Sequence, residues 1–139
     1  MIRTAQEADS AAVVSLWRVC GLTRPWNDPD ADFRLALRGA GSTVLITPTD
    51  GALVGSVMIG FDGHRGWLYY LSVDPAHRSQ GIGRTLVEAA ERWLAAKGLP
   101  KVQLMVRSEN QAVQGLYERL GYEPQLVVVF GKRLMVSAN

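Results

Sequence analysis

A glycine-rich loop from Arg78 to Gly83 is the sequence feature that most restricts how this chain can fold. It lies between a strand-like run, Trp67 to Val73, and a helix-like run, Gly83 to Lys97. The first N–H groups of a helix have no acceptor inside the helix, and the helix dipole adds partial positive charge there. Such a loop suits an anion, and Arg78 and Arg84 add fixed positive charge. The loop therefore predicts a phosphate-bearing cofactor.

Two common nucleotide-binding motifs do not fit this loop. A dinucleotide fingerprint needs a third glycine near position 86, where this chain has Leu86. A Walker loop needs Gly-Lys-Ser/Thr, which the sequence lacks. The structural alternative is a plain strand-to-helix connection with glycine at the bend, and Arg78 with the paired glycines argues against it.

Length, charge and cysteine content exclude several classes of protein. We expect the 139 residues, 1–139, to form a single domain with a proper core. A net charge of +2 is too small to indicate nucleic-acid binding. The longest apolar run, Leu126 to Phe130, is too short to span a bilayer, and we expect no signal peptide and no metal. The single cysteine, Cys20, allows no internal disulfide and predicts a cytoplasmic protein.

Local signals predict the element order β-α-α-β-β-β-α-β-α-β. Thr4 and Glu7 have the spacing of a capping box before the first helix, and Asp28-Pro29 predicts the start of the second. The other predicted elements are strands at 42–47, 52–61, 67–73 and 101–106, helices at 83–97 and 110–120, and a last strand or two within 125–135. A crossover helix joins the strand ending at Val73 to the strand at Lys101, so these two strands should be parallel neighbours in a mixed sheet.

Two motifs carry a resemblance to a known family. The pattern Arg-x-x-Gly-x-Gly at 78–83, after a strand ending in Val-Asp-Pro, resembles the acyl-CoA loop of the GNAT (Gcn5-related) N-acetyltransferases. The run from Asn110 to Tyr122 resembles the second CoA-side motif of that family, and the element order matches its fold along nearly the whole chain. The segments 22–29 and 62–66 resemble more narrowly the bacterial YpeA-type acetyltransferases.

The resemblance implies an α/β fold and a co-substrate. The fold is a central mixed, mostly antiparallel sheet, flanked by helices, whose parallel strands splay apart at the CoA site. The pantetheine arm of acetyl-CoA would complete the splayed strand like an added strand, and the loop would wrap the pyrophosphate. The residues that the resemblance assigns to the cofactor are Leu71, Ser72, Val73, Arg78, Ser79, Gln80, Gly81, Ile82, Gly83, Arg84, Thr85 and Asn110.

The implied reaction is direct attack of a primary amine on the thioester through a tetrahedral intermediate. Tyr117 matches the family tyrosine that acts as general acid or hydrogen-bond donor towards the thiol. The alternative is a packing tyrosine on an amphipathic helix, which the sequence by itself favours and the motif context argues against. His64 has the side chain whose pKa suits a base near pH 7, in a turn where polar residues are normally solvated. Asp62, Glu109, Asp28 and an ordered water are its rivals.

The acceptor would lie, by analogy with the family, between the first two helices. Arg24, Trp26, Asn27 and Asp28 stand out in that loop, because an aromatic, an amide and a carboxylate could together hold a cationic amine. The alternative is that Trp26 packs the loop down while Asp28 caps the next helix. The sequence does not indicate the substrate.

Other functions and an assembly also remain open at this point. The chain could be a non-catalytic acyl-CoA-binding or regulatory module, or it could acetylate a protein or another macromolecular amine. The apolar run Leu126 to Phe130 could pair across the edge of a homodimer.

Overall fold

The computed structural model describes residues 1–135, which form one mixed sheet with helices on both faces. The strands lie in the order β1-β2-β3-β4-β5, and within residues 1–135 no helix is long and apolar enough to cross a membrane. The strands are Arg3–Thr4 (β1), Ser42–Thr49 (β2), Ala52–Phe61 (β3), Gly66–Val73 (β4) and Val102–Leu104 (β5). The helices are Ser10–Val19 (α1), Pro29–Arg38 (α2), Ile82–Ala96 (α3) and Gln111–Arg119 (α4).

The pairing of the strands confirms the predicted mixed sheet. β1 to β4 pair antiparallel, whereas β4 and β5 pair parallel, with Gly66 opposite Val102 and Leu68 opposite Leu104. The crossover between these two parallel strands is α3, as the sequence predicted. The carboxyl ends of β4 and β5 therefore point the same way, towards the segments that precede α3 and α4.

Two hydrophobic cores hold the layers together, one on each face of the sheet. On one face α1 and α2 cover β2 and β3, with Trp17, Phe33 and Ile46 fully buried. On the other face α3 and α4 pack over the sheet, with Leu86 and Tyr117 in the buried cluster. The helices of the first half, α1 and α2, and those of the second half, α3 and α4, cover opposite faces of the sheet. Each pair of helices therefore needs the shared sheet to bury its apolar side chains.

Local capping signals agree with the starts of α2 and α4 but not with the start of α1. Asp28 caps α2 through a hydrogen bond from the Ala31 N–H, and Asn110 caps α4 through one from Val113. The capping box predicted at Thr4 and Glu7 is wrong: the Asp9 carboxylate accepts the Gln6 N–H (2.8 Å), and α1 begins at Ser10. Asp9 is fixed there by Arg3, a contact between β1 and the helix start that local spacing does not reveal.

The strands predicted within 125–135 are not formed in the described residues. This segment has no regular structure, and Leu126 to Phe130 are between 62% and 104% exposed. A strand is stable only when an edge supplies hydrogen bonds and a face buries its side chains, and here the segment has neither. The local signals also predict a longer fifth strand, 101–106, whereas β5 spans Val102–Leu104.

Candidate active site

The sheet opens between β4 and β5 because the two strands pair over only three residues. Pairing ends at Leu68 opposite Leu104, while β4 continues to Val73 along β3. The Asp74 N–H donates to Val54 O (2.9 Å), so the neighbouring Val73 directs its own amide and carbonyl the other way, into the gap. The gap therefore presents strand backbone with no partner strand.

One carbonyl in the gap is already in use. Val73 O accepts hydrogen bonds from Arg78 Nε (3.2 Å) and from the thiol of Cys20 (3.3 Å). These two side chains connect the open end of β4 to the loop before α3 and to the end of α1. A ligand that pairs with Val73 O must displace at least one of them.

A β-bulge at Tyr70 lies just beyond the last residue of β4 that pairs with β5. Tyr69 lies opposite Met58 and Ser72 opposite Ser56, so two residues of β4, including Tyr70, face a single residue of β3. Tyr70 has a φ of +53°, which is unusual for a residue other than glycine. Strained backbone of this kind is concentrated at functional sites because the surrounding structure has to hold it in place.

The loop before α3 has the geometry of an anion site. The first helical hydrogen bond of α3 runs from the Thr85 N–H to Gly81 O (3.0 Å), so the preceding amides at the helix start have no intrahelical acceptor. Ser79 has a φ of +66°, a second strained position. Arg78 and Arg84 are exposed on either side of the loop, and the Thr85 hydroxyl donates to Gly81 O (2.7 Å).

The two glycines of the loop differ in what they require. Gly81 has a φ of +81°, so its backbone conformation by itself favours glycine. Gly83 has no such requirement, since an added Cβ would meet only Val73 Cγ2, at an ordinary 3.6 Å. A need for glycine at position 83 would therefore come from a ligand and not from the protein.

Tyr117 presents a buried ring with a free hydroxyl. The ring lies in the core on the α3 side of the sheet and contacts Tyr122 edge-on, with 5.5 Å between ring centroids. Among the described residues the hydroxyl has no hydrogen-bond partner, yet it is not sealed from solvent. Burial raises the pKa of Tyr117 to about 12, so the side chain keeps its proton at neutral pH.

Glu109 and Asn110 lie where β5 leads into α4, at the same end as the open gap. The Asn110 side chain is engaged as the helix cap (3.2 Å from Val113 N). Glu109 is exposed and accepts a long hydrogen bond from Ser108 Oγ (3.4 Å). Both residues are exposed and follow β5 in the chain, and Asn110 differs from Glu109 in that its side chain caps a helix.

Asp62 and His64 lie at the opposite end of β4, in the turn that joins β3 to β4. Asp62 Oδ1 accepts the N–H groups of Arg65 (2.8 Å) and His64 (2.9 Å), and these bonds lower the pKa of the carboxyl group. Asp62 Oδ2 accepts the indole N–H of Trp67 (3.3 Å). The eight residues of β4 separate this turn from the loop before α3, so His64 and Asp62 lie at the other end of β4 from that loop.

The segment between α1 and α2 uses most of its polar groups to hold its own shape. Arg24 donates to Gly21 O (2.8 Å) and Thr23 O (2.9 Å), and Asn27 N donates to Arg24 O (3.1 Å). Asp28 is the cap of α2, as noted above. Trp26 is half exposed, and its carbonyl accepts a hydrogen bond from Arg133 (3.0 Å).

The structure reveals one polar pair that the sequence had not singled out. The Tyr70 hydroxyl donates to Asp32 Oδ2 (2.9 Å), across a pocket between α2 and the sheet. Burial and this hydrogen bond raise the pKa of Tyr70. The Tyr69-Tyr70 doublet was the available signal, because two successive aromatic residues interrupt the alternation expected of a strand.

Comparison with known proteins identifies the family. The model of the Acetyltransferase (GNAT) family matches residues 11–122, which include the gap, the loop and Tyr117. The chain belongs to this family. The prediction of a GNAT N-acetyltransferase is thereby confirmed, and the chain is an acetyltransferase of the GNAT type.

Named relatives of this GNAT protein cover almost its whole length. A protein named acetyltransferase from Yersinia enterocolitica is 47% identical over 136 residues, which are 98% of this chain and 96% of the relative. Another acetyltransferase, from Pectobacterium atrosepticum, is 46% identical over 134 residues, or 96% and 95% of the two chains. These relatives confirm the enzyme class.

Solved structures confirm the GNAT fold. The aminoglycoside N-acetyltransferase AAC(6')-Iy, solved with the bisubstrate analogue CoA-S-monomethyl-acetylneamine, superposes with a TM-score of 0.82 over 97% of this chain and 98% of its own. The two sequences are 21% identical, so the likeness establishes the fold and leaves the acceptor open.

Proposed function

We propose that this GNAT enzyme transfers an acetyl group from acetyl-CoA to a primary amine by direct attack on the thioester. The observation that carries the proposal is the gap between β4 and β5, whose unpaired backbone leads directly into the loop at the start of α3. An extended pantetheine arm with a pyrophosphate at one end fits that combination, because its amides can pair with the strand backbone and its pyrophosphate can bind at the loop. The solved neighbour with a CoA-containing analogue supports the same ligand.

Acetyl-CoA would bind along β4 and end at the loop. The pantetheine arm would pair with Leu71 to Val73, exchanging the present partners of Val73 O, and Arg78 would then be free to turn towards the pyrophosphate. The amides at the start of α3 would donate to that group. The residues we propose for the co-substrate are Leu71, Ser72, Val73, Arg78, Ser79, Gln80, Gly81, Ile82, Gly83, Arg84, Thr85 and Asn110.

The reaction needs an oxyanion donor, a proton donor at sulfur and a proton acceptor at nitrogen. The amine nitrogen forms a bond to the thioester carbon, and the carbonyl oxygen takes the negative charge beside the Leu71 N–H. The carbon–sulfur bond then breaks, and the CoA thiolate takes the proton of Tyr117, which water returns. The nitrogen loses its extra proton to a base or to water, so that an amide and free CoA are the products.

Three side chains and water are candidates for the group that accepts the proton from the amine nitrogen. Glu109, His64 and Asp62 carry suitable groups, and an ordered water could serve instead. Glu109 is favoured among the three because it follows β5 at the open end of the sheet, whereas His64 and Asp62 belong to the turn at the other end. The proposed contacts to the acceptor come from the segment before α2, namely Arg24, Trp26, Asn27 and Asp28. Among these, the indole ring of Trp26 could bind a cationic amine.

We also propose that the enzyme is a single domain over 1–139, works in the cytoplasm and forms a homodimer. The shared sheet supports the first point, and a lone cysteine, which fits a reducing compartment, supports the second. For the dimer, the support is an exposed apolar run, Leu126 to Phe130, in a chain whose strand β5 has no outer partner within residues 1–135. The run of one copy and the edge of β5 in another are complementary elements.

Calorimetric titration of acetyl-CoA tests the central proposal, with NAD and ATP as controls. We expect micromolar binding of acetyl-CoA alone, followed by release of free thiol when amines are added. If acetyl-CoA does not bind, or binds no better than the two controls, the loop is a structural turn and the proposal fails.

A further inference from the structure

A pocket of about 310 Å³ lies on the α2 face of the sheet, beside the bulge in β4. Its size is at the small end of the range for ligand pockets, which is about 300–1,000 Å³. The walls come from α2, β2, β3 and β4. The side chains and backbone that matter for its chemistry are those of Asp32, Leu35, Met58, Gly60, Tyr69 and Tyr70.

The bulge creates the aromatic wall of this pocket. In a regular strand, Tyr69 and Tyr70 would point to opposite faces. Here Leu68 and Leu71 both pack on the α3 side of the sheet, while Tyr70 stacks on Trp17 on the other side (3.9 Å between ring centroids) and Tyr69 lines the pocket with it. The positive φ of Tyr70 therefore places two neighbouring tyrosines on one face.

The pocket holds a carboxylate whose charge no neighbour cancels. Of the described residues that line the pocket, Asp32 alone is charged, and within residues 1–135 it forms no salt bridge. The nearby Arg34 is instead paired with Asp30 (3.0 Å). Tyr70 holds Asp32 Oδ2 in place, which leaves Oδ1 without a hydrogen bond among the described residues. A half-buried carboxylate fixed in this way suits a cation.

The remaining walls restrict which cation fits. Leu35, Met58 and the tyrosine rings are apolar or aromatic, and such surfaces bind hydrocarbon and the positive end of an ammonium group. A polyamine would bring several charges to a pocket with one carboxylate and would lose the hydration of the others. The lining therefore favours a single ammonium group on an apolar body.

We propose that this pocket binds the acceptor, and that the acceptor is a small monoamine with an apolar or aromatic body whose nitrogen Asp32 holds. The inference depends on the proposed function, because Tyr70 directly precedes Leu71, the proposed donor to the thioester oxygen. Asp32 contacts the hydroxyl of Tyr70, the residue at the bulge, so the amine would approach the thioester from this face of β4.

The test measures acetylation of 2-phenylethylamine and of spermidine by wild type, Asp32→Asn and Asp30→Asn. Asp30 is a matched control, since it lies in the same first turn of α2 and pairs with Arg34 outside the pocket. We expect wild type to prefer 2-phenylethylamine. Asp32→Asn should raise the KM for this amine by about 10–100-fold, the loss expected for a hydrogen bond to a charged group, while Asp30→Asn changes it less than about twofold.

A second variant tests the pocket without changing a charge. Gly60 has ordinary contacts around an added Cβ (3.7 Å to Gly41 O), so Gly60→Val should fold and narrow the floor of the pocket. We expect it to raise the KM for 2-phenylethylamine and to leave acetyl-CoA affinity unchanged. Equal KM values in Asp32→Asn, Gly60→Val and wild type, or a preference for spermidine, would overturn the inference.

Calorimetry with acetyl-CoA separates this inference from the proposed function. If acetyl-CoA binds and 2-phenylethylamine is not acetylated, the pocket assignment fails while the donor assignment stands. If acetyl-CoA itself does not bind, the proposed function fails.

Discussion

Tyr117 shows how burial alone changes the acidity of a side chain that we propose as a proton donor. Because burial raises its pKa to about 12, the phenol holds its proton more tightly than a thiol, whose ordinary pKa is about 8.5. Transfer of this proton to the thiolate is therefore uphill by itself, and it is completed when water returns a proton to the phenolate. The protonated form is lost only as the pH rises through about 12, so Tyr117 should cause no fall in rate between pH 7 and 10.

The variant Tyr117→Phe tests this role directly. We expect kcat to fall by about 10²–10⁴-fold, as for other lost acid catalysts, with acetyl-CoA affinity within twofold of wild type. Free-thiol release and calorimetry measure the two quantities. The control is Tyr122→Phe, which removes a hydroxyl bonded to Glu91 (2.7 Å) from the neighbouring ring and should keep turnover near normal. Equal turnover in Tyr117→Phe and wild type would rule out the acid.

At the scale of single elements, helix α3 has a glycine in the left-handed conformation at each end, and we propose a ligand-binding role for only one of the two. Gly81 before the helix has a φ of +81°, and Gly98 after it has a φ of +87°. At neither position would an added Cβ meet an atom within 4 Å, so the cost of a side chain is conformational in both cases. The two glycines form a natural pair for separating helix stability from ligand binding.

The pair of variants Gly81→Ala and Gly98→Ala makes that separation. Each should lower the free energy of unfolding by about 1 kcal/mol, the cost of a left-handed conformation for an L-residue. Gly81→Ala alone should weaken acetyl-CoA binding, because only this end of the helix is proposed to hold the pyrophosphate. Thermal denaturation and calorimetry give the two readouts. Similar losses of affinity in both variants would show that the effect reports stability and not the site.

Elements were predictable from sequence where their causes are local. The starts of α2 and α4 follow from Asp28 and Asn110, whose side chains bond amides three residues ahead. The bulge at Tyr70 was not predicted, because it depends on the register of β4 against β3. For the same reason the sequence pointed to the loop of the candidate site but missed Asp32, which meets Tyr70 across a distance of 38 residues in the chain.

At the scale of the whole molecule, one segment, residues 125–135, does not join the sheet. The sequence predicted strand structure in Gln125–Met135 from its apolar content, yet within residues 1–135 this segment does not pair with the free edge of β5. Gln125 is tied to Lys101 (2.7 Å) and Arg133 to Trp26 O (3.0 Å), while the apolar side chains between them stay exposed. An exposed apolar run of this kind is typical of an interaction surface.

Charges placed in this run should prevent the proposed homodimer. The double variant Val128→Lys/Val129→Lys puts a charge on both faces of a strand, so one lysine must meet the interface whichever face is buried. We expect sedimentation to show a dimer for wild type and a monomer for the variant. The matched control is Val19→Lys/Leu35→Lys, since Val19 and Val129 are both 62% exposed and Leu35 is 70% exposed. A monomeric wild type would disprove the dimer, and a dimeric Val128→Lys/Val129→Lys would show that the run Leu126 to Phe130 is not its interface.

The gap between β4 and β5 also implies that the stability of this enzyme depends on the concentration of acetyl-CoA. If acetyl-CoA supplies the missing strand, the folded state gains free energy whenever the donor is present, about 2.7 kcal/mol at a concentration one hundred times Kd. Unfolded molecules, which proteases degrade, would then be about a hundredfold rarer in a well-fed cell than in a starved one. The amount of enzyme, and not only its rate, would follow the acetyl-CoA pool.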